Sequence, residues 1–396
     1  MKKKVAVTGM GIVCNIAGNA RKFFQALSNP PLSYFTRNPR IKLAIDLTVG
    51  EAKEENFSKP CTKTFDSLTS RLCLSAAREC YADLKKTNKN KPIDGLILGT
   101  SAGGQNSSED FTFSLLEGKT PPVFNYNANG MMVSPTRAVA RDLGIKGKTS
   151  TISTACSSSA NAIAIGAGLI ESGRCQCVMA GGGDALCATT MSGFHILKLT
   201  GSEPARPFGP DRPGLTLGEG AAFLILEPLD QVISDKRDYY ALLSGYGMTS
   251  DAYHMTAPDK TGNGALNCMQ NALQMANLKT TDINFINAHG TGTLFNDRIE
   301  SMAIKKVFNN TPAASLKGLT GHTLGAAGAI EAVASLYCLI QKQAFENFNS
   351  HITGEDCQLT IVNKKNKELS EIKHVLSNSF GFGGNNCSLI FSQKQT

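Results

Sequence analysis

Short apolar runs that end in glycine alternate along this chain with segments whose apolar positions recur at helical spacing. Lys4–Thr8 reads as a buried strand stopped by Gly9-Met10-Gly11. Gly95–Gly99 reads the same way and leads into a small-residue loop, Thr100–Gly104. Residues 149–153 are a third strand. Cys177–Ala180 is a fourth, ending in Gly181-Gly182-Gly183-Asp184, and Ala221–Leu226 is a fifth. The second half adds Tyr240–Tyr246, Ile283–Asn287, Val375–Ser379 and Cys387–Phe391. Helices are expected over residues 21–28, Ser67–Leu84, Asn263–Ala276, Asp297–Val307 and Ala327–Ile340. In Ser67–Leu84 the stripe is Leu68, Leu72, Ala76, Cys80 and Leu84. Cys156–Ile170 is nearly all Ser, Ala, Ile and Gly. A helix with no water-loving face belongs in the centre of a molecule. Residues 36–63 are polar and read as an irregular surface excursion.

Short buried strands between helices predict an α/β fold with mixed sheets. Both halves carry the same kinds of element in similar order, which points to internal duplication. No Pro-, Gly- or Ser-rich linker separates them, so one packed body is expected.

Composition narrows the picture. A chain of 396 residues with 41% hydrophobic and 18% charged residues can bury a core and is not disordered in bulk. No run of about twenty apolar residues is present, so no membrane span is expected. Met1-Lys2-Lys3-Lys4 is not followed by a long apolar stretch, which argues against a signal peptide. The twelve cysteines of a long, unsignalled chain are expected to be reduced, mostly buried, in a cytoplasmic protein. Cys175 and Cys177 alone are a weak metal motif. The net charge of +8 is mild; it does not imply nucleic acid, but suits an acidic partner met at one patch.

Four segments carry candidate chemistry. In Thr154-Ala155-Cys156-Ser157-Ser158-Ser159 a cysteine lies between a strand and the central helix. Free N–H groups and the helix dipole there favour a thiolate, so a lowered pKa is expected. A packing cysteine in a tight turn is the alternative. His289 lies in Asn287-Ala288-His289-Gly290-Thr291-Gly292-Thr293, and His322 in Leu319-Thr320-Gly321-His322-Thr323-Leu324-Gly325. A lone histidine is more often structural. Two of six in glycine-bounded loops shift the balance toward function. Lys317 precedes His322 and would favour its neutral form, and Glu331 on the next helix could let that lysine be buried. An ordinary surface lysine is the bland reading. Asn378-Ser379-Phe380-Gly381-Phe382-Gly383-Gly384-Asn385 is either a gate with apolar tips or a bulged edge between two strands. Taken alone, it reads better as the edge.

Together these segments resemble the beta-ketoacyl-acyl-carrier-protein synthases of the elongating class, in the thiolase-like superfamily. The likeness runs from Val5-Ala6-Val7-Thr8-Gly9-Met10-Gly11 to Ser388-Leu389-Ile390-Phe391. It includes Arg206-Pro207-Phe208, Gly218-Glu219-Gly220 and Asp251-Ala252-Tyr253-His254-Met255-Thr256. The resemblance implies a duplicated thiolase-like αβαβα five-layer sandwich. Its N-terminal half, 1–237, would carry the nucleophile, and its C-terminal half, 238–396, both histidines. Cys156 would take an acyl group from acyl-carrier protein. The N–H groups of Cys156 and Phe382 would hold the oxyanion. His289 and His322 would stabilise the enolate formed as malonyl-carrier protein loses CO2, with Lys317 and Glu331 behind them. Thr256, Thr291 and Thr293 match positions that bind the pantetheine arm, and Phe380, Gly381 and Phe382 match a gating loop. Arg206 matches a basic residue that meets the carrier protein. No metal or organic cofactor is implied, and members dimerise through the N-terminal half.

Some residues depart from the housekeeping pattern. Ala102 stands where a bulky aliphatic residue commonly lines the acyl pocket, three serines follow Cys156, and Asn385 replaces a threonine. These changes look similar to ketosynthases of polyene or aryl-polyene pathways, which pair with a cysteine-free chain-length factor. A thiolase would need a further cysteine in the C-terminal glycine loop, which Cys387 falls beyond. A non-catalytic chain-length factor would lack Cys156. A cysteine protease would leave one histidine loop unexplained.

Overall fold

The computed structural model describes residues 3–31, 34–37, 39–41, 43–57, 67–88, 91–121, 129–364, 369 and 371–394. Met1-Lys2, Cys61 and positions 38, 42 and 58–63 of the expected irregular stretch lie outside them. The ten main strands are β1 (Val5–Cys14), β2 (Gly95–Gly99), β3 (Lys148–Ile152), β4 (Val178–Asp184), β5 (Gly220–Pro228), β6 (Ala241–Ser250), β7 (Phe285–Asn287), β8 (Ala313–Ala314), β9 (His374–Gly381) and β10 (Asn385–Ser392). Their spatial order is β8-β7-β9-β10-β6-β1-β5-β4-β2-β3. Numbered within each half, both sets run 3-2-4-5-1, and in both the fifth strand is antiparallel to its neighbours. Only Val5–Val7 of β1 and Ala241–Leu243 of β6 join the two sets.

The helices before β6 are α1 (Ala20–Ser28), α2 (Leu68–Thr87), α3 (Gln105–Leu116), α4 (Ser134–Asp142), α5 (Ser158–Glu171), α6 (Ala188–Ile196) and α7 (Leu229–Ser234). After it come α8 (Asn263–Ala276), α9 (Leu294–Phe308), α10 (Lys317–Thr320) and α11 (Ala327–Gln341). Helices α5 and α11 contact each other and strands of both sheets, so they form the middle layer. Residues Ala327–Leu339 are all buried, as the featureless composition requires. By length and composition Leu324–Gln341 could cross a membrane, but 89% of it is buried inside the protein, as a core helix is. Helices α2 and α8 cover the outer faces of the two sheets. The fold is the duplicated five-layer α/β sandwich of the thiolase-like class.

The glycine-rich strand ends were misread. Strand β1 continues through Gly9 and Gly11 to Cys14, and β4 through Gly181–Gly183 to Asp184. Here glycine admits a neighbour and does not stop the strand. A Cβ on Gly11 would lie 2.1 Å from the Ala76 carbonyl oxygen of α2, and one on Gly247 of β6 would lie 2.0 Å from that of Cys268 on α8. The two halves use the same device at the same place. The described part of 36–63 is also more ordered than expected. Val49–Gly50 pairs with Leu217–Gly218, and Leu47, Val49 and Ala52 are buried. The eleven described cysteines are free and buried.

Candidate active site

The nucleophile candidate sits on a sharp turn. Strand β3 ends at Ile152 and α5 begins at Ser158, so Cys156 lies just before the helix. Ala155 takes φ +50°, a left-handed conformation that a Cβ makes costly. The three serines account for the turn's rigidity. Ser157 Oγ donates to the Thr154 carbonyl at 2.8 Å. Ser158 Oγ accepts from Thr154 N–H at 2.9 Å and donates to the Ala155 carbonyl at 2.5 Å. Ser159 Oγ accepts from Ala329 N–H at 2.9 Å, tying α5 to α11.

Cys156, His289 and His322 line one cavity of about 260 Å³, together with Thr256, Thr291, Thr293, Phe380, Gly381 and Phe382. The imidazole rings of His289 and His322 meet edge to face, 5.3 Å between centroids. The backbone N–H groups of Phe382 and of Cys156 itself both act to lower the Cys156 thiol. Antiparallel β9 and β10 pair in unbroken register up to Gly381 and Asn385, so Phe382–Gly384 is a tight hairpin turn between two interior strands and not a bulged edge, and Phe380, Gly381, Phe382 and Gly384 line the cavity.

The thiol is not depressed as the helix terminus led us to expect. Burial pushes it up to about 11, against smaller downward effects of the Lys317 charge and the Phe382 N–H. A buried site two residues short of the helix loses more hydration than the dipole returns. Both imidazoles are held well below their usual range, first by burial and then by Lys317. They are neutral.

Lys317 is buried, and the imidazole it touches is His289, where His322 was expected. Its Nζ donates to His289, to Nδ1 at 3.1 Å and to the carbonyl oxygen at 2.6 Å, and it pairs with Glu331. A donor at Nδ1 leaves the His289 proton on Nε2. His322 feels the same charge only at a distance, and its Nδ1 is buried with no hydrogen-bond partner among the described residues. Its backbone is held instead: His322 N–H donates to the Thr216 carbonyl at 2.7 Å, and its carbonyl accepts from Gly218.

Two expected residues stand off the cavity. Ala102 does not line it; its N–H donates to Asp184 at 2.9 Å. Arg206 is part-exposed beside the His289 loop and engages Glu203 and the Asp211 carbonyl. Cys387, the thiolase alternative, is buried in β10 and does not line the cavity.

Several contributors carried no sequence signal. The Glu300 carboxylate accepts from His289 N–H and Gly290 N–H, both at 2.7 Å, and fixes that loop. Burial pushes it up to about 7. Asp184 accepts from Thr100, Ser101, Ala102 and Gly325, joining the loop after β2 to the start of α11. Glu109 of α3 accepts from Ala188 and Thr189 at the start of α6. That helix carries Phe194, which stacks on Phe382 at 5.3 Å. Acidic residues in a sequence look solvated until the fold turns them inward.

Residues 2–232 match the beta-ketoacyl synthase N-terminal domain and residues 240–351 the C-terminal domain. A 3-oxoacyl-[acyl-carrier-protein] synthase 2 from Synechocystis sp. is 32% identical over 414 residues, covering 100% of this chain and 99% of the relative. The ishigamide ketosynthase/chain length factor structure matches with a TM-score of 0.92 at 26% identity, over 100% of both chains. The ketosynthase ApeO in complex with its chain length factor ApeC, from Xenorhabdus doucetiae, matches with a TM-score of 0.87 at 30% identity, over 99% of this chain and 98% of that one. With both domains matched in order around a shared cysteine–histidine cavity, the chain belongs to the beta-ketoacyl synthase family.

Proposed function

We propose that this protein condenses an acyl group carried on Cys156 with malonyl-carrier protein, releasing CO2 and forming beta-ketoacyl-carrier protein. The observation that carries this is the convergence of Cys156, His289 and His322 on one threonine-lined cavity. Cys156 Sγ attacks the thioester carbonyl, and the N–H groups of Cys156 and Phe382 take the negative oxygen. The carrier's thiol leaves with the proton lost from Sγ. In the second half-reaction, His289 Nε2–H and His322 donate to the malonyl thioester oxygen. The electrons of the breaking C–CO2 bond then collect as an enolate. Neutral imidazoles suit this role, because each must donate without being a general acid of low pKa. The enolate carbon attacks the acyl-enzyme, a C–C bond forms, and Sγ departs as thiolate to be reprotonated.

Within this reading Thr256, Thr291 and Thr293 hold the pantetheine arm, and Phe380, Gly381 and Phe382 gate the acyl group. Lys317 and Glu331 set the protonation of His289, and Arg206 faces acyl-carrier protein. The reaction calls for no metal or organic cofactor and takes place in the cytoplasm. The halves 1–237 and 238–396 act as two repeats of one unit.

A second reading, a ketosynthase subunit paired with a chain-length factor, draws on one feature. β3 is an open sheet edge with Lys148, Thr149 and Ser150 exposed, which suits a homodimer or a ketosynthase-like partner. The test is intact-mass spectrometry with saturated, polyunsaturated and aryl-acyl carrier proteins, on wild type and Cys156→Ala. A saturated adduct lost in the variant supports ordinary elongation. An adduct with unsaturated or aryl chains alone supports the specialised pathway. No adduct from any donor overturns the standalone catalyst.

A further inference from the structure

A second cavity, of about 1010 Å³, opens between α1, α2, the start of β6 and the C-terminal end of α11. It shares no lining residue with the Cys156 cavity, and no step of the reaction uses it. Its size is that of a small-molecule site. Three rings wall it: Phe24 of α1, Tyr240 just before β6, and Tyr337 of α11. Met10, Ile16 and Ile340 extend the apolar wall. The rings are held in place. Phe24 and Tyr337 meet edge to face at 5.4 Å, and the Tyr337 hydroxyl lies 2.8 Å from Ser28 Oγ. The Tyr240 hydroxyl donates to Asp83 at 2.9 Å. The wall is therefore preformed.

Four charged side chains also line the cavity: Arg21, Glu79, Asp83 and Lys86. Asp83 is satisfied, because it accepts from Met10 N–H and Tyr240 and pairs with Lys86 at 3.0 Å. Glu79 is not. Its two oxygens accept one backbone N–H each, from Ala20 and Ile12, both at 2.8 Å, and among the described residues it forms no ion pair. Burial and then the Asp83 charge raise its carboxyl, and Lys86 opposes them only from a distance. A carboxylate drawn out of water without a counter-ion, one turn from a second acid and beside three rings, is a seat for a cation. The rim favours an anion far less. Arg21 and Lys86 are exposed, so solvent and salt screen both charges.

We propose that this cavity binds an arylalkylamine, with its protonated amine on Glu79 and its aromatic body among Phe24, Tyr240 and Tyr337. The ammonium donates to the lone pairs that the two backbone N–H groups leave free on Glu79. The rings supply apolar contact to the body and their π faces to the charge. The site is separate from the condensing centre and does not depend on the proposed function.

The test is isothermal titration calorimetry of the full chain with three compounds that share one body: 4-phenylbutylamine, 4-phenylbutanol and 4-phenylbutyrate. The amine should bind with a Kd below about 1 mM. It should bind at least about tenfold more tightly than the alcohol or the acid, the gain from one charge-assisted hydrogen bond. Glu79→Gln should remove that advantage and leave the Kd of the alcohol within about twofold. Glu79 also ties α1 to β1, so a second variant guards against misfolding. Ala82→Phe, at an exposed position of α2 that lines the cavity, fills the space. It should abolish amine binding while Tm stays within about 2 °C of wild type. Cys156→Ala should bind the amine as wild type does. The proposal is overturned if the amine does not bind, if the acid binds as tightly, or if Ala82→Phe leaves the amine's Kd unchanged. An acid that binds more tightly and is lost in Arg21→Ala overturns it in favour of an anion at the rim. Weaker amine binding in Cys156→Ala also overturns it, since the amine would then sit in the condensing site.

Discussion

Burial sets the protonation of the groups around Cys156. The thiol, both imidazoles and the carboxyls of Glu300 and Glu331 are all displaced toward their neutral forms, with burial the largest cause in each. Lys317 stands among them and opposes burial at the thiol and at Glu331. A thiol raised to about 11 holds little thiolate at neutral pH. Alkylation of Cys156 by iodoacetamide should therefore climb about tenfold per pH unit from pH 7 to 10, without levelling near 8.5. Lys317→Met removes the charge that lowers the thiol, so it should move the profile to still higher pH. Peptide mass mapping reads both. A plateau by pH 9 in wild type would contradict the burial argument.

At the scale of elements, the site depends on ties between pieces far apart in sequence. Lys317 of α10 and Glu331 of α11 form an ion pair with both side chains buried. Removing one partner leaves an uncompensated buried charge, so Lys317→Met should cost about 3–5 kcal/mol in urea unfolding. The double variant Lys317→Met/Glu331→Gln should recover most of that loss while the condensation remains impaired. Equal costs for single and double variants would mean the pair is not coupled. The sheet-to-helix contacts give a second expectation. Gly11→Ala and Gly247→Ala place a methyl within about 2 Å of a helix carbonyl in the two halves. Each should cost roughly 3 kcal/mol or fail to fold, by overpacking. A neutral outcome at either would mean α2 or α8 can move off its sheet.

At the scale of the whole molecule, the shared strand order joins two repeats along one short β1–β6 contact, with α5 and α11 buried between. Each repeat supplies what the other lacks: Cys156 from the first; His289, His322 and the Phe382 loop from the second. The exposed β3 edge is the surface on which a second chain can extend the sheet. If two copies pair there around a two-fold axis, Ser150→Glu places like charges close together. Sedimentation velocity should then show twice the chain mass for wild type and at least tenfold weaker association for the variant. A wild-type monomer at all concentrations would remove the homodimer and leave the heterodimer as the reading to test.

The chain's own pattern was enough for the α/β alternation, the central helix after Cys156 and the doubled order of elements, because each rests on local periodicity. It was also enough to single out Cys156, His289, His322, Lys317 and the Phe380–Gly384 loop, because rare reactive residues stood among glycines. Local pattern failed where the deciding neighbour is distant. Gly9, Gly11 and Gly181–Gly183 read as strand ends, since the helix or strand that presses on them is not adjacent in sequence. The thiol's direction of shift was misjudged, because burial is a property of the assembled layers. That Lys317 hydrogen-bonds His289 and acts on His322, nearer in sequence, only through its charge was decided by the tertiary packing. Glu300 and Glu109 on helices and Asp184 at the end of β4 were invisible as ties, since a carboxylate looks solvated until the tertiary structure encloses it.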